Sequence, residues 1–167
     1  MFLDNGVINA ILTALHLPVI QWLGDTRYAL RTICMLEIWQ FGSSMLIFLS
    51  SLKQIPQSLY EAARVDGSNK WQQFWKITLP LLTPTIFFNL VMQMINGFLA
   101  FTQCYIITQG KPMDSTLFYT VYMYEQSFQF NNAGYGAAMA WVMLLIIALI
   151  TAVLFGTKKF WVYEGGL

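Results

Sequence analysis

The sequence predicts an all-α membrane protein, with three transmembrane helices and a pair of short helices on the membrane surface between the first and the second. Composition is the first ground. Of 167 residues, 57% are hydrophobic and 16% aromatic, and only 10% are charged, whereas soluble domains carry about 25% charged residues. A soluble core able to hide this much apolar side chain would belong to a much larger protein. The second ground is the presence of three stretches long enough to cross a bilayer, which takes about 20 apolar residues. The third is that no run of charge interrupts any of them.

The elements follow in chain order. Residues 1–28 carry Ile8, Ile11, Leu12 and Leu15 on one helical face and then break at Pro18 and Gly24. This segment is too short to span and is expected to lie along the outer interface. Met1 leads directly into Phe2-Leu3-Asp4-Asn5-Gly6 with no basic run, so no secretory signal is read there. The spans are expected over 29–52, 84–107 and 136–157. Lys53, Arg64, Lys70 and Lys76 lie between the first two, and Lys158 and Lys159 follow the third; Arg27, Arg31 and Lys111 fall on the other side. The excess of basic residues makes the loop at 53–83 and the tail at 158–167 cytoplasmic, and leaves 1–28 and 108–135 external.

The external loop carries Phe118, Tyr119, Tyr122, Tyr124 and Phe128 after an expected cap at Asp114 or Ser115. Aromatics at this level anchor a protein to headgroups, and they also suit a docking surface for an external partner. The third span is rich in small residues, Gly136, Ala137, Ala138, Ala140 and Ala148, which close helix packing explains.

The cytoplasmic loop reads as two short helices. Ser58 and Glu61 have the spacing of a capping box, Leu59 to Asp66 form two turns, and Gly67 suits the left-handed residue that ends them. Ser68 or Asn69 can start the second helix, in which Trp71, Phe74 and Trp75 share one face. Pro80 and Pro84 are expected to break that helix before the next span. Such a pair could rest on lipid headgroups with its tryptophans as anchors, or dock a soluble partner and pass force into the adjoining spans.

Glu61-Ala62-Ala63, three residues, Gly67, nine residues, and Ile77-Thr78-Leu79-Pro80 resemble the EAA loop of the permease subunits of binding-protein-dependent ABC importers. Every fixed position of that pattern is present, and Asp66-Gly67 with the neighbouring Ala-Ala-Arg-Val is similar to the sugar-transport branch. The resemblance implies coupling helices seated in a cleft of a cytoplasmic ABC ATPase subunit, with Glu61, Ala62, Ala63, Asp66, Gly67, Ile77, Leu79 and Pro80 as the coupling residues. It further implies a second permease subunit, an extracytoplasmic substrate-binding protein, and residence in the cytoplasmic (inner) membrane of a prokaryote as a multi-pass protein. The implied cargo is a sugar or related polyol, a glycerol phosphate among them. Family members commonly have about six spans, so this chain resembles spans four to six. A truncated, transport-incompetent or accessory membrane protein is the alternative expectation.

Within the second span, Asn89, Gln93, Asn96 and Gln103 fall within an arc of about 80° on an ideal helix, with Gln93 and Asn96 roughly 13–18 Å from Pro84. Amides in hydrocarbon need partners. They serve either as ties between helices or as the lining of a substrate path, for which amides suit a polyol. Glu37, Gln40 and Ser44 form a similar set in the first span, open to a bundle-facing ion pair or a functional role.

Other classes find little support. The sequence has no GxxxxGK[ST] phosphate loop, so ATP hydrolysis is expected on a separate subunit and no enzyme activity here. One histidine, His16, and two cysteines without CxxC spacing, Cys34 and Cys104, make no metal site or disulfide framework, and no cofactor is expected. The cysteines read as small packing residues. A net charge of +1 creates no field to draw nucleic acid.

Overall fold

The computed structural model describes Phe2 and residues 6–163; residues 1, 3–5 and 164–167, which belong to the expected external segment and cytoplasmic tail, lie outside the described residues. Every regular element among the described residues is helical: α1 Val7–Ala14, α2 Thr26–Trp39, α3 Gly42–Gln54, α4 Gln57–Val65, α5 Lys70–Gln73, α6 Leu79–Phe98, α7 Tyr119–Tyr124 and α8 Ala133–Trp161. Single π-helical turns follow α5 at Phe74–Thr78, lie at Cys104–Thr108, and follow α7 at Glu125–Gln129. Two helices, Lys70–Phe98 and α8, are long and apolar enough to cross a membrane, and α2 with α3 makes a third if that bent pair is one span. Only 6% of the apolar window of α8 is buried inside the chain, which leaves an apolar surface that water would not tolerate.

The chain divides into two compact units, one containing the residues up to Gln40 with Gly97–Leu144, the other Phe41–Asn96 with the residues from Leu145 onward. In the first unit a buried amide does the ordering. Asn9 donates to the Ile20 carbonyl at 2.9 Å and accepts from the Trp22 indole at 2.9 Å, which ties α1 to the chain entering α2. Asp25 caps α2 by accepting the Arg27 N–H at 2.8 Å. Ile33, Cys104 and Val121 form a small core against Phe101, Tyr105, Leu117 and Phe118. Cys104 is thus the packing residue expected, while Cys34 is exposed. His16 is an exposed turn residue with φ 56° just past α1.

The aromatic segment expected to be external contains α7, but its start departs from expectation. Phe118 in extended conformation precedes the helix without a side-chain cap. Asp114 adopts φ 56° in a preceding turn, and the Ser115 hydroxyl is buried without a hydrogen-bond partner among the described residues. Among the small residues of α8, only Gly136 is buried; Ala137, Ala138, Ala140 and Ala148 are exposed. A Cβ at Gly136 would lie 1.8 Å from Ser127 Oγ and 3.4 Å from its Cα, so close packing is confined to that position.

In the second unit α3 and α6 run antiparallel, joined by two polar ties. The Thr85 hydroxyl donates to Ser51 Oγ at 2.8 Å, and Gln93 Nε2 donates to Ser44 Oγ at 2.7 Å. Phe87 of α6 packs edge-on against Phe155 and Trp161 of α8, with centroids 5.0 and 5.7 Å away. The helix expected over 29–52 is in two pieces, interrupted at Gln40-Phe41 just before Gly42.

The prolines do not break the helix entering α6. Lys70–Phe98 is continuous over 29 residues. The π turn carries the Leu79 N–H to the Phe74 carbonyl, which absorbs one extra residue immediately before Pro80. Pro84 leaves the Pro80 carbonyl without its helical N–H, and the Thr83 hydroxyl takes that place at 2.6 Å. A side chain one residue away therefore restores the lost bond.

Candidate coupling site and polar helix face

The short helix α4 starts earlier than the capping pattern implies. Ile55 before Pro56 is held extended, Pro56 itself has ψ 130°, and it occupies the cap position with no side-chain hydrogen bond. Ser58 and Glu61 therefore lie inside the helix, and no capping box forms there. The chain is already turned into the helix at Gln57, so Ser58 lacks the extended backbone a cap requires. Glu61 is left exposed with its carboxylate free of that task.

The end of α4 is as expected. Gly67 has φ +78°, its N–H reaches the Arg64 carbonyl at 3.0 Å, and the Ser68 N–H reaches that of Ala63 at 2.9 Å. This pair of bonds is a Schellman motif, which closes the carbonyl end of α4 and reverses the chain. Asp66 is the cap residue just past the end of α4. Asn69 then begins α5 with a reciprocal capping box: it accepts the Gln72 N–H at 2.8 Å, and Gln72 Oε1 accepts the Asn69 N–H at 3.0 Å. The buried Gln73 amide adds a bond to the Ser68 carbonyl at 3.0 Å, so the turn is held from both sides.

The two ends of the motif meet. The Tyr60 phenol and the Thr78 hydroxyl are 2.9 Å apart, which brings the residue before Glu61 against the residue between Ile77 and Leu79. Leu59, Ile77, Pro80 and Tyr163 line one crevice. The Tyr163 N–H donates to Thr83 Oγ1 at 2.8 Å, the same hydroxyl that donates to the Pro80 carbonyl, so the chain just past α8 is linked through Thr83 to the proline of the motif. Glu61 and Ala62 stay exposed, Ala63 half-buried, and Ile77, Leu79 and Pro80 half-buried. Tyr60, Gln73, Thr83 and Tyr163 were not singled out in the sequence. Their partners lie 3 to 80 residues away, and only the polar residue types in apolar surroundings mark them in the sequence.

The amide stripe is divided. Asn89 is buried and donates to the Thr85 carbonyl of its own helix at 3.1 Å. Gln93 reaches across to Ser44, and Asn96 is exposed. Gln103 lies beyond the end of α6 at Phe98, on a separate helical segment, so the arc calculated for one ideal helix does not include it. Because α6 begins at Leu79, Asn89 sits near its middle and Gln93 and Asn96 in its last two turns. Glu37 is exposed on α2, separated by the helix break from Ser44 on α3.

The described residues thus combine membrane-length apolar helices with a turn-linked pair of short helices. The chain belongs to the binding-protein-dependent transport system inner membrane component family, whose model matches residues 6–160. It is 52% identical over 166 residues, 98% of its length and 54% of the relative's, to the "Probable ABC transporter permease protein YesP" of Bacillus subtilis (strain 168). It is 40% identical over 90% of its length and 49% of the relative's to the sulfoquinovosyl glycerol transport system permease protein SmoG of Agrobacterium fabrum (strain C58 / ATCC 33970). Its fold matches a chain of a bacterial alginate ABC transporter, solved in complex with an alginate pentasaccharide-bound periplasmic protein. The TM-score is 0.83 at 23% identity, covering 92% of this chain and 54% of that one. The chain spans about half the length of the relatives it matches.

Proposed function

We propose that the chain is a membrane-spanning permease subunit of an ABC importer, in which α4, Gly67 and α5 form the docking element for a separate cytoplasmic ATPase subunit. The observation that carries this reading is the Schellman turn at Gly67, set on the motif spacing and presenting exposed Glu61 and Ala62. A helix pair locked at its turn moves as one body. The Tyr60–Thr78 bond joins that body to the continuous helix leading into α6, so a push on α4 is delivered to a span. Glu61, Ala62, Ala63, Asp66 and Gly67 supply the contact surface, and Ile77, Leu79 and Pro80 the joint.

In this reading residues 53–83 face the cytoplasm and 108–135 the exterior, where a substrate-binding protein docks on a pair of permease subunits. ATP-driven closure of the ATPase subunits rocks the spans between outward- and inward-open arrangements. Among the amides of α6, exposed Asn96 borders the path of a sugar or related polyol, while Gln93 ties α6 to α3. The sugar-containing cargoes named for SmoG and for the alginate transporter support that class.

Affinity purification in mild detergent tests the reading. An ATPase subunit is expected to co-purify with the native chain in its assembled transporter and to be lost with Glu61→Ala and with Gly67→Val. Equal recovery from both variants would refute the docking role of this element.

A further inference from the structure

We propose that Trp71, Phe74 and Trp75, flanked by Lys70 and Lys76, form a lipid anchor that fixes the base of α6 in the headgroup layer of an anionic membrane surface. The inference rests on the reading of α6 as a membrane span and gives the aromatic face an occupant different from that of α4. The three rings pack on one another, with centroids 6.2, 5.9 and 5.5 Å apart. They nevertheless remain 69%, 43% and 52% exposed, so the cluster presents one continuous aromatic surface outward.

Helix length sets the depth of this surface. The 20 residues of α6 rise about 30 Å, the thickness of the hydrocarbon core. The unbroken helix begins nine residues earlier, at Lys70, and the added rise is about 13 Å. Trp75 then lies about 6 Å beyond Leu79, within the headgroup layer, and Trp71 about 12 Å beyond, at its outer edge. Indole rings are favoured in that layer.

Charge selects the lipid. Lys70 and Lys76 are exposed, and residues 68–80 contain no Asp or Glu, so this stretch is purely cationic and attracts anionic headgroups. The end of α8 has the same character, with Lys159 5.1 Å over the Phe160 ring. Just past α8, Tyr163 is bonded to Thr83, which lies about two turns along the helix from Trp75.

The test is tryptophan quenching in vesicles of phosphatidylcholine and phosphatidylglycerol carrying acyl chains brominated near the glycerol or near the methyl end. The chain is compared with Trp71→Phe, Trp75→Phe and Trp141→Phe, so that each indole is read by difference. Trp75 should be quenched most by the shallow bromines, and Trp71 less; Lys70→Gln with Lys76→Gln should weaken both signals when phosphatidylglycerol is present. Unquenched, water-like emission from Trp71 and Trp75, while deep bromines quench Trp141 of α8, would overturn the anchor and leave the span reading intact. If Trp141 also escaped quenching, the span reading would fail and the anchor with it. Relief of Trp71 and Trp75 quenching on addition of the ATPase subunit would assign the face to that protein and overturn the lipid proposal.

Discussion

Tyr60 and Thr78, eighteen residues apart, share a hydrogen bond of 2.9 Å that closes the helix pair onto the start of α6. Thr78 is buried and also lies 3.5 Å from the Gln73 carbonyl. Tyr60→Phe is therefore expected to cost about 1 kcal/mol, with Thr78 still partly satisfied. If the bond is the whole effect, Tyr60→Phe with Thr78→Val will be no less stable than the worse single variant. Thermal unfolding in detergent measures all three, and additive losses would show that each side chain acts through other contacts.

Gly67 separates strain from crowding. Its φ is +78°, and an added Cβ would meet nothing within 4 Å. Only the backbone conformation then penalises substitution. Gly67→Asn should be nearly neutral, whereas Gly67→Val should lose about 1–2 kcal/mol and the recovery of the ATPase subunit. Equal losses in both variants, read by unfolding and co-purification, would point to a contact at the glycine instead.

Gln93 and Asn96 should part company. Gln93 is tied to Ser44 across to α3, so Gln93→Leu is expected to lower stability by about 1 kcal/mol and to reduce assembly and uptake together. Asn96 is exposed on the same helix face. Asn96→Leu should leave assembly unchanged and reduce uptake in the full transporter. Paired measurements of membrane-complex yield and radiolabelled sugar uptake decide between these patterns, and a matching fall in both for Asn96 would make it a packing residue.

Gly136 is the one small residue of α8 held tightly. An alanine there must displace Ser127, whose Cα would be only 3.4 Å from the new Cβ. Gly136→Ala should destabilise the chain by about 1–3 kcal/mol, and Ser127→Gly should restore most of the loss. Failure of that rescue, measured by unfolding in detergent, would place the strain elsewhere. Ala137→Gly, at an exposed position, serves as the comparison.

How much of this was legible varied with the range of the interaction. Apolar stretches and their lengths predicted an all-helical membrane chain, because burying backbone polar groups in lipid leaves helices as the local solution. The motif from Glu61 to Pro80 was equally legible, and Gly67 took the left-handed turn that only its missing side chain makes easy. The stop of each helix was harder. Ser58 has a capping pattern, yet Pro56 had already turned the chain; Pro80 and Pro84 look like breakers, yet a π turn and the Thr83 hydroxyl carry the helix through them. An ideal helix drawn through Gln103 missed the end of α6 at Phe98. Tertiary structure alone decided which polar side chains became joints: Tyr60 with Thr78, Gln93 with Ser44, and Thr83 with Tyr163. Local sequence specifies dihedral preferences and one-face periodicity, whereas these bonds depend on where separate helices come to rest against each other.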